Sequence, residues 1–159
     1  MMKQLIQNTL KGFLLIPLLL ISMTISAQDT SDYEKAKNEI IEQFGSFFPM
    51  FEAYPKYALA EVWENFKKIN GQNSNIPPKY RELIQLAVAS QIPCEYCVYF
   101  HKASAKANGA TDEEVKEAVA HGAQTRHWSM IIQSSGISFE DFKTDFNAAM
   151  KHMSEKAKQ

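Results

Sequence analysis

Apolar residues return every three or four positions along most of this chain, and no stretch keeps the two-residue rhythm of a half-buried strand. Leu59, Val62, Trp63, Phe66 and Ile69 share one face of a segment, as do Phe139, Phe142, Phe146, Met150 and Met153 near the C-terminus. An all-α fold follows. The punctuation agrees: Pro77-Pro78 and Pro93 are placed to start helices, Asn108-Gly109 to stop one, and Gly136 followed by Ser138 to separate two more. Thr111 and Glu114 have the spacing of a capping box. Six helices are expected, over residues 32–44, 56–69, 78–91, 93–108, 112–124 and 138–155, with a short seventh over 126–133. The Phe and Met stripe of the last helix reads as core or subunit contact, and core is the expected role for any one phenylalanine of Phe44 to Phe51 or Phe139 to Phe146.

The first residues follow another logic. Lys3 and Lys11 precede a thirteen-residue apolar run from Phe13 to Ile25 that contains Pro17. A spanning helix needs roughly 20 apolar residues, so the run is expected to be a cleaved export signal over 1–27, ending at Ser26-Ala27. Removing 1–27 from the 159 residues leaves 132, Gln28 to Gln159, the size of one domain. Net charge moves from −1 to −3, because Lys3 and Lys11 are lost and no acidic residue is. No basic stripe suggests nucleic acid. The expected location is outside the cytoplasm, in the periplasm, where disulfides persist.

The two cysteines of the chain lie in Cys94-Glu95-Tyr96-Cys97-Val98-Tyr99-Phe100-His101, twelve residues beyond Glu82. If Pro93 begins a helix, Cys94, Cys97 and His101 fall three and four residues apart on one face, with both sulfurs near the positive end of the helix dipole. Thiols so placed ionise more readily than the free side chain. Glu82 lies ten residues before the turn at residue 92 and His101 nine after it, so in a helical hairpin they reach one level and the carboxylate can orient the imidazole. A pair that closes a loop of two intervening residues is a weak staple, which favours redox chemistry over a static disulfide. Cys94, Cys97 and His101 also offer three zinc ligands, one short of a structural site, and no bound metal or cofactor is expected.

Glu82 followed by Cys94-x-Tyr96-Cys97-x-x-x-His101 in a small helical chain resembles the alkyl hydroperoxidase D (AhpD)-like group of the carboxymuconolactone decarboxylase superfamily. The likeness includes Phe44-Gly45-Ser46-Phe47-Phe48-Pro49 upstream and Asn108-Gly109-Ala110-Thr111 downstream. It implies a helical bundle that forms trimers or hexamers. It also implies a proton relay in which Glu82 and His101 activate Cys97 against a peroxide, with Cys94 closing the disulfide and meeting an external dithiol reductant, typically lipoyl-like, for which the export signal substitutes a thioredoxin-like donor. Some members carry His at the position of Tyr96, to which the resemblance leaves a hydrogen-bonding role. Within the same chemistry, a thiol-disulfide oxidoreductase is the alternative. The non-redox decarboxylase branch has no evident use for two thiols.

Overall fold

The computed structural model describes residues 30–158, and the export signal expected over 1–27 lies outside them. Among the described residues there are seven helices and no strand: α1 (30–44), α2 (Pro49–Glu52), α3 (Lys56–Asn70), α4 (Pro78–Ala89), α5 (Glu95–Ala107), α6 (Asp112–Ser134) and α7 (Phe139–Lys156). They fall into two compact units that divide after Ser74.

In the first unit, α1 stops at Gly45, whose φ of 76° lets its amide bond back to the Ile41 carbonyl at 2.8 Å. Pro49 then occupies the first position of the short α2. Ala36, Ile40, Phe51, Leu59 and Trp63 are buried together, and Phe44, Phe47, Phe48 and Phe66 pack around them. Core is therefore the role of the Phe44 to Phe51 group. Ring contacts tighten the cluster, with Phe51 edge-on to Trp63 at 5.3 Å and Trp63 stacked on Phe66 at 5.5 Å. The one polar atom of the buried indole donates to Glu39 Oε2 at 2.7 Å, and Lys67 bonds the same oxygen. Lys67 first, and the indole second, hold the Glu39 carboxyl below its ordinary pKa.

The second unit is a helical hairpin, α4 and α5, with α6 packed on α4. Its core is small: Leu86, Ala105, Ala110 and Val115, with Leu83, Val98 and Val119 against it. Pro78 sits at the first position of α4, where a missing amide hydrogen costs nothing. Thr111 caps α6 as expected: its hydroxyl accepts from the Glu114 amide at 3.1 Å, and Glu114 Oε2 accepts from the Thr111 amide at 2.8 Å. The other oxygen of Glu114 takes Lys79 of α4 at 2.8 Å. Gly122 lies directly on the backbone of Ala87, so α4 and α6 meet without side chains between them at that point.

Two expectations require correction. The break placed between 124 and 126 is absent, and α6 runs unbroken to Ser134. No proline or positive-φ residue interrupts it, and the Thr125 hydroxyl satisfies the His121 carbonyl one turn back. The stripe on α7 is not core: Phe139, Phe142, Phe146, Met150 and Met153 are all exposed, and α7 buries no residue. Periodicity identifies an apolar face without saying which chain covers it.

Candidate redox site

The site is built where α4 turns into α5. Ser90, Gln91 and Ile92 form a tight reversal, with Gln91 N bonded to Val88 O at 2.9 Å and Cys94 N to Ile92 O at 2.7 Å. The helix expected to begin at Pro93 begins at Glu95, and Cys94 is its cap. The physical reason lies in the Cys94 backbone, extended at φ −129° and ψ 88°, which brings its sulfur round to accept the Cys97 amide at 3.2 Å. A cysteine here does the work usually given to Ser or Asp, satisfying one of the orphan amides of the first turn.

Cys94 and Cys97 are joined as a disulfide, with Cα atoms 5.3 Å apart. Four residues on from Cys97 is His101, and four further on the buried Ala105, which packs with Leu86 of α4. That face of α5 is thus turned to α4, and there Glu82 Oε2 lies 2.9 Å from His101 Nδ1. Both side chains are mostly covered, at 15 % and 19 % exposed. A carboxylate only accepts, so the contact assigns the proton of a neutral imidazole to Nδ1 and leaves Nε2 as the free base. The edge of Phe100 flanks the imidazole at 5.2 Å between centroids.

The structure therefore brings four of the five sequence-derived residues into one arrangement: a disulfide at a helix N-terminus and, a turn below, a carboxylate–imidazole pair. Tyr96 stands apart, 80 % exposed and directed to solvent. Sequence reasoning passed over Ile92, Pro93, Glu95 and Val98, which with Cys94 and Tyr96 line an open hollow of about 480 Å³. Their only signal in the sequence was adjacency to the cysteines.

Chemically, the arrangement supplies a sulfur pair able to gain and lose two electrons, amides and a helix dipole that favour a thiolate, and an imidazole held in one tautomer as a proton acceptor. Among the described residues no helix is long and apolar enough to cross a membrane.

A family model described as the carboxymuconolactone decarboxylase family matches residues 57–135, a span that holds Glu82, Cys94, Cys97 and His101. An uncharacterized protein of Cupriavidus necator is 33 % identical over 91 residues, which cover 57 % of this chain and 76 % of that protein. Among solved structures, the chain is similar to the alkylhydroperoxidase AhpD core from Rhodospirillum rubrum, with a TM-score of 0.59 and 24 % identity over 71 % of this chain and 86 % of that one. At that identity the likeness is one of fold.

Proposed function

The chain belongs to the carboxymuconolactone decarboxylase family and has an AhpD-like fold, and from that premise we propose that it is a thiol-dependent peroxidase reducing hydrogen peroxide or organic hydroperoxides. The observation that carries the proposal is the Glu82–His101 pair, at 2.9 Å, on the face of α5 that also holds Cys97. In the reduced protein, His101 Nε2 takes the Cys97 proton. The thiolate attacks the terminal peroxide oxygen, the O–O bond breaks, and Cys97 becomes a sulfenic acid while the alkoxide recovers the proton from His101. Cys94 then attacks the sulfenic sulfur, water leaves, and the disulfide seen here closes. An external dithiol returns two electrons and two protons, so the net reaction is hydroperoxide plus dithiol to alcohol, water and disulfide. Glu82 orients the imidazole and stabilises the imidazolium.

Export to the periplasm belongs to the same proposal, supported by Lys3, Lys11 and the apolar run of 13–25. So does assembly as a homo-oligomer, supported by the exposed stripe of α7. The test is consumption of cumene hydroperoxide by the purified protein with dihydrolipoamide, beside Cys97→Ser. Turnover lost in the variant sustains the reading; a folded, reduced wild type that consumes no hydroperoxide overturns it.

A second reading, thiol-disulfide oxidoreductase, is favoured by one contact, the Cys97 amide on the Cys94 sulfur, which stabilises Cys94 as an exchanging thiolate. Oxidation of a reduced protein substrate in the absence of peroxide distinguishes it.

A further inference from the structure

In the second unit α4, α5 and α6 pack on one another, whereas α7 buries no residue and carries its stripe of Phe139, Phe142, Phe146, Met150 and Met153 uncovered. This helix begins beyond residue 135, where the family match ends. A second uncovered stripe lies on α4. Tyr80, Ile84 and Val88 recur four residues apart and Ile92 continues them into the turn, all of them 50–59 % exposed. They stand apart from Glu82 and Leu86, which are turned to α5. Because Ile92 also lines the open hollow beside Cys94, the stripe runs from the start of α4 to the edge of the redox site.

The two stripes match in length and in charge. At a rise of roughly 1.5 Å per residue, Tyr80 to Ile92 extends about 18 Å and Phe139 to Met153 about 21 Å. Lys79, which also bonds Glu114, and Arg81 flank the start of the α4 stripe, and Glu95 lies past its end. On α7 the order is reversed: Glu140, Asp141 and Asp145 against Lys143 make the first half acidic, while Lys151 and Lys156 against Glu155 make the second basic. Laid parallel, the helices set acid against base at both ends; laid antiparallel, they set like charge against like. Within one chain neither stripe covers the other, since both are exposed. At roughly 150–250 Å² for a whole aromatic side chain, the exposed parts of the two stripes amount to on the order of 900 Å² per contact. Two copies that exchange α7 would bury on the order of 1,800 Å², within the roughly 1,200–2,000 Å² of a stable interface.

Resting on the peroxidase reading and the assembly above, we propose that α7 of one copy lies parallel along Tyr80, Ile84 and Val88 of a second copy, and that its Met150 and Met153 close the second copy's hollow beside Cys94. The register sets Phe146 over Val88 and Met150 over Ile92. The redox site is thus completed across the subunit boundary, by residues of a helix that its own chain leaves unpacked. As an open hollow the site gives an organic group little cover. A wall of two thioethers, with Ile92 and Tyr96 opposite, gives the organic part of a hydroperoxide an apolar seat for which hydrogen peroxide has no use.

Two measurements test it. Val88→Cys with Phe146→Cys, or Tyr80→Cys with Met153→Cys, is introduced into chains that also carry Cys94→Ser and Cys97→Ser, and mild oxidation is followed by denaturing electrophoresis. The first pair should join copy to copy, and the second, roughly 20 Å apart in the parallel register, should not. Met150→Asp with Met153→Asp, its redox cysteines intact, is then assayed against two substrates. Its kcat/KM for cumene hydroperoxide should fall about tenfold, and that for hydrogen peroxide should stay within twofold. Refolding this variant from urea with an equal amount of Cys97→Ser chain, itself inactive, should raise cumene hydroperoxide turnover about fivefold, because half of the variant's sites then receive an intact α7. The proposal is overturned if the second pair cross-links, if the first joins no two copies, if both substrates slow alike, or if the mixture gains nothing. A wild type that consumes neither hydroperoxide ends the peroxidase reading and leaves the cross-links to decide this one. Wild-type turnover beside failed cross-links keeps the peroxidase reading and removes this inference.

Discussion

Replacing a glycine inside a helix by alanine ordinarily stabilises it by up to about 1 kcal/mol, and Gly122→Ala should do the opposite. A methyl group at Gly122 would stand 2.6 Å from the Ala87 carbonyl oxygen and 3.3 Å from its Cα, both backbone atoms of α4 that cannot rotate away. Restoring ordinary contact, which begins near 3.4 Å, requires α4 and α6 to part by roughly 0.8 Å. Overpacking of that kind costs about 1–3 kcal/mol, and the helix-propensity gain offsets part of it, leaving a net loss of about 1–2 kcal/mol. In urea, with a slope of roughly 1–3 kcal/mol per molar, the midpoint should fall by about 0.5–1 M at unchanged slope. Because α4 also carries Glu82, its displacement should loosen the 2.9 Å contact with His101, and hydroperoxide turnover should fall at denaturant concentrations where the fold is intact. A midpoint that rises instead would refute the reasoning, since it would mean that the two helices do not meet at Gly122.

Three further outcomes are expected. Glu82→Gln and His101→Gln should each slow hydroperoxide reduction by roughly 10²–10⁴ in a single-turnover assay, and normal rates in both would remove the relay. The Glu39 carboxyl, held below its ordinary value of 4.5 chiefly by Lys67 and then by the Trp63 indole, contributes stability that is complete above that value and is lost as pH falls through the lower folded value. Acid titration of the urea midpoint should therefore show a loss of stability that begins below about pH 5 and that Glu39→Gln lacks. Phe142→Glu with Phe146→Glu should lower the native mass by sedimentation while leaving the helical signal unchanged, because neither ring belongs to either core; unaltered mass would show that α7 is not the subunit contact.

What was legible in the sequence was whatever depends on residues close along the chain. Pro78 as a helix start, Thr111 with Glu114 as a capping box, and Asn108-Gly109 and Gly136 as stops are local events, and counting ten residues back and nine forward from residue 92 brought Glu82 level with His101. Interhelical geometry was not legible. Nothing around Gly122 announces that it meets Ala87. Cys94 as a cap was missed because the proline before it suggested an earlier helix start, whereas the extended Cys94 backbone decides the register. The fate of the α7 stripe was undecidable for another reason: an apolar face has the same pattern whether its cover comes from the same chain or another.

The hydrogen bond from the Cys97 amide to the Cys94 sulfur gives the site a built-in reporter. A thiolate is a stronger acceptor than a disulfide sulfur, so gaining electrons should pull that amide's proton resonance downfield and retard its exchange with solvent. The peptide group belongs to the residue that supplies the other sulfur, and the cap it makes is seen here in the disulfide form. One backbone signal would therefore follow the two-electron cycle in the working protein, without a label, a chromophore or any rearrangement of the helix that bears it.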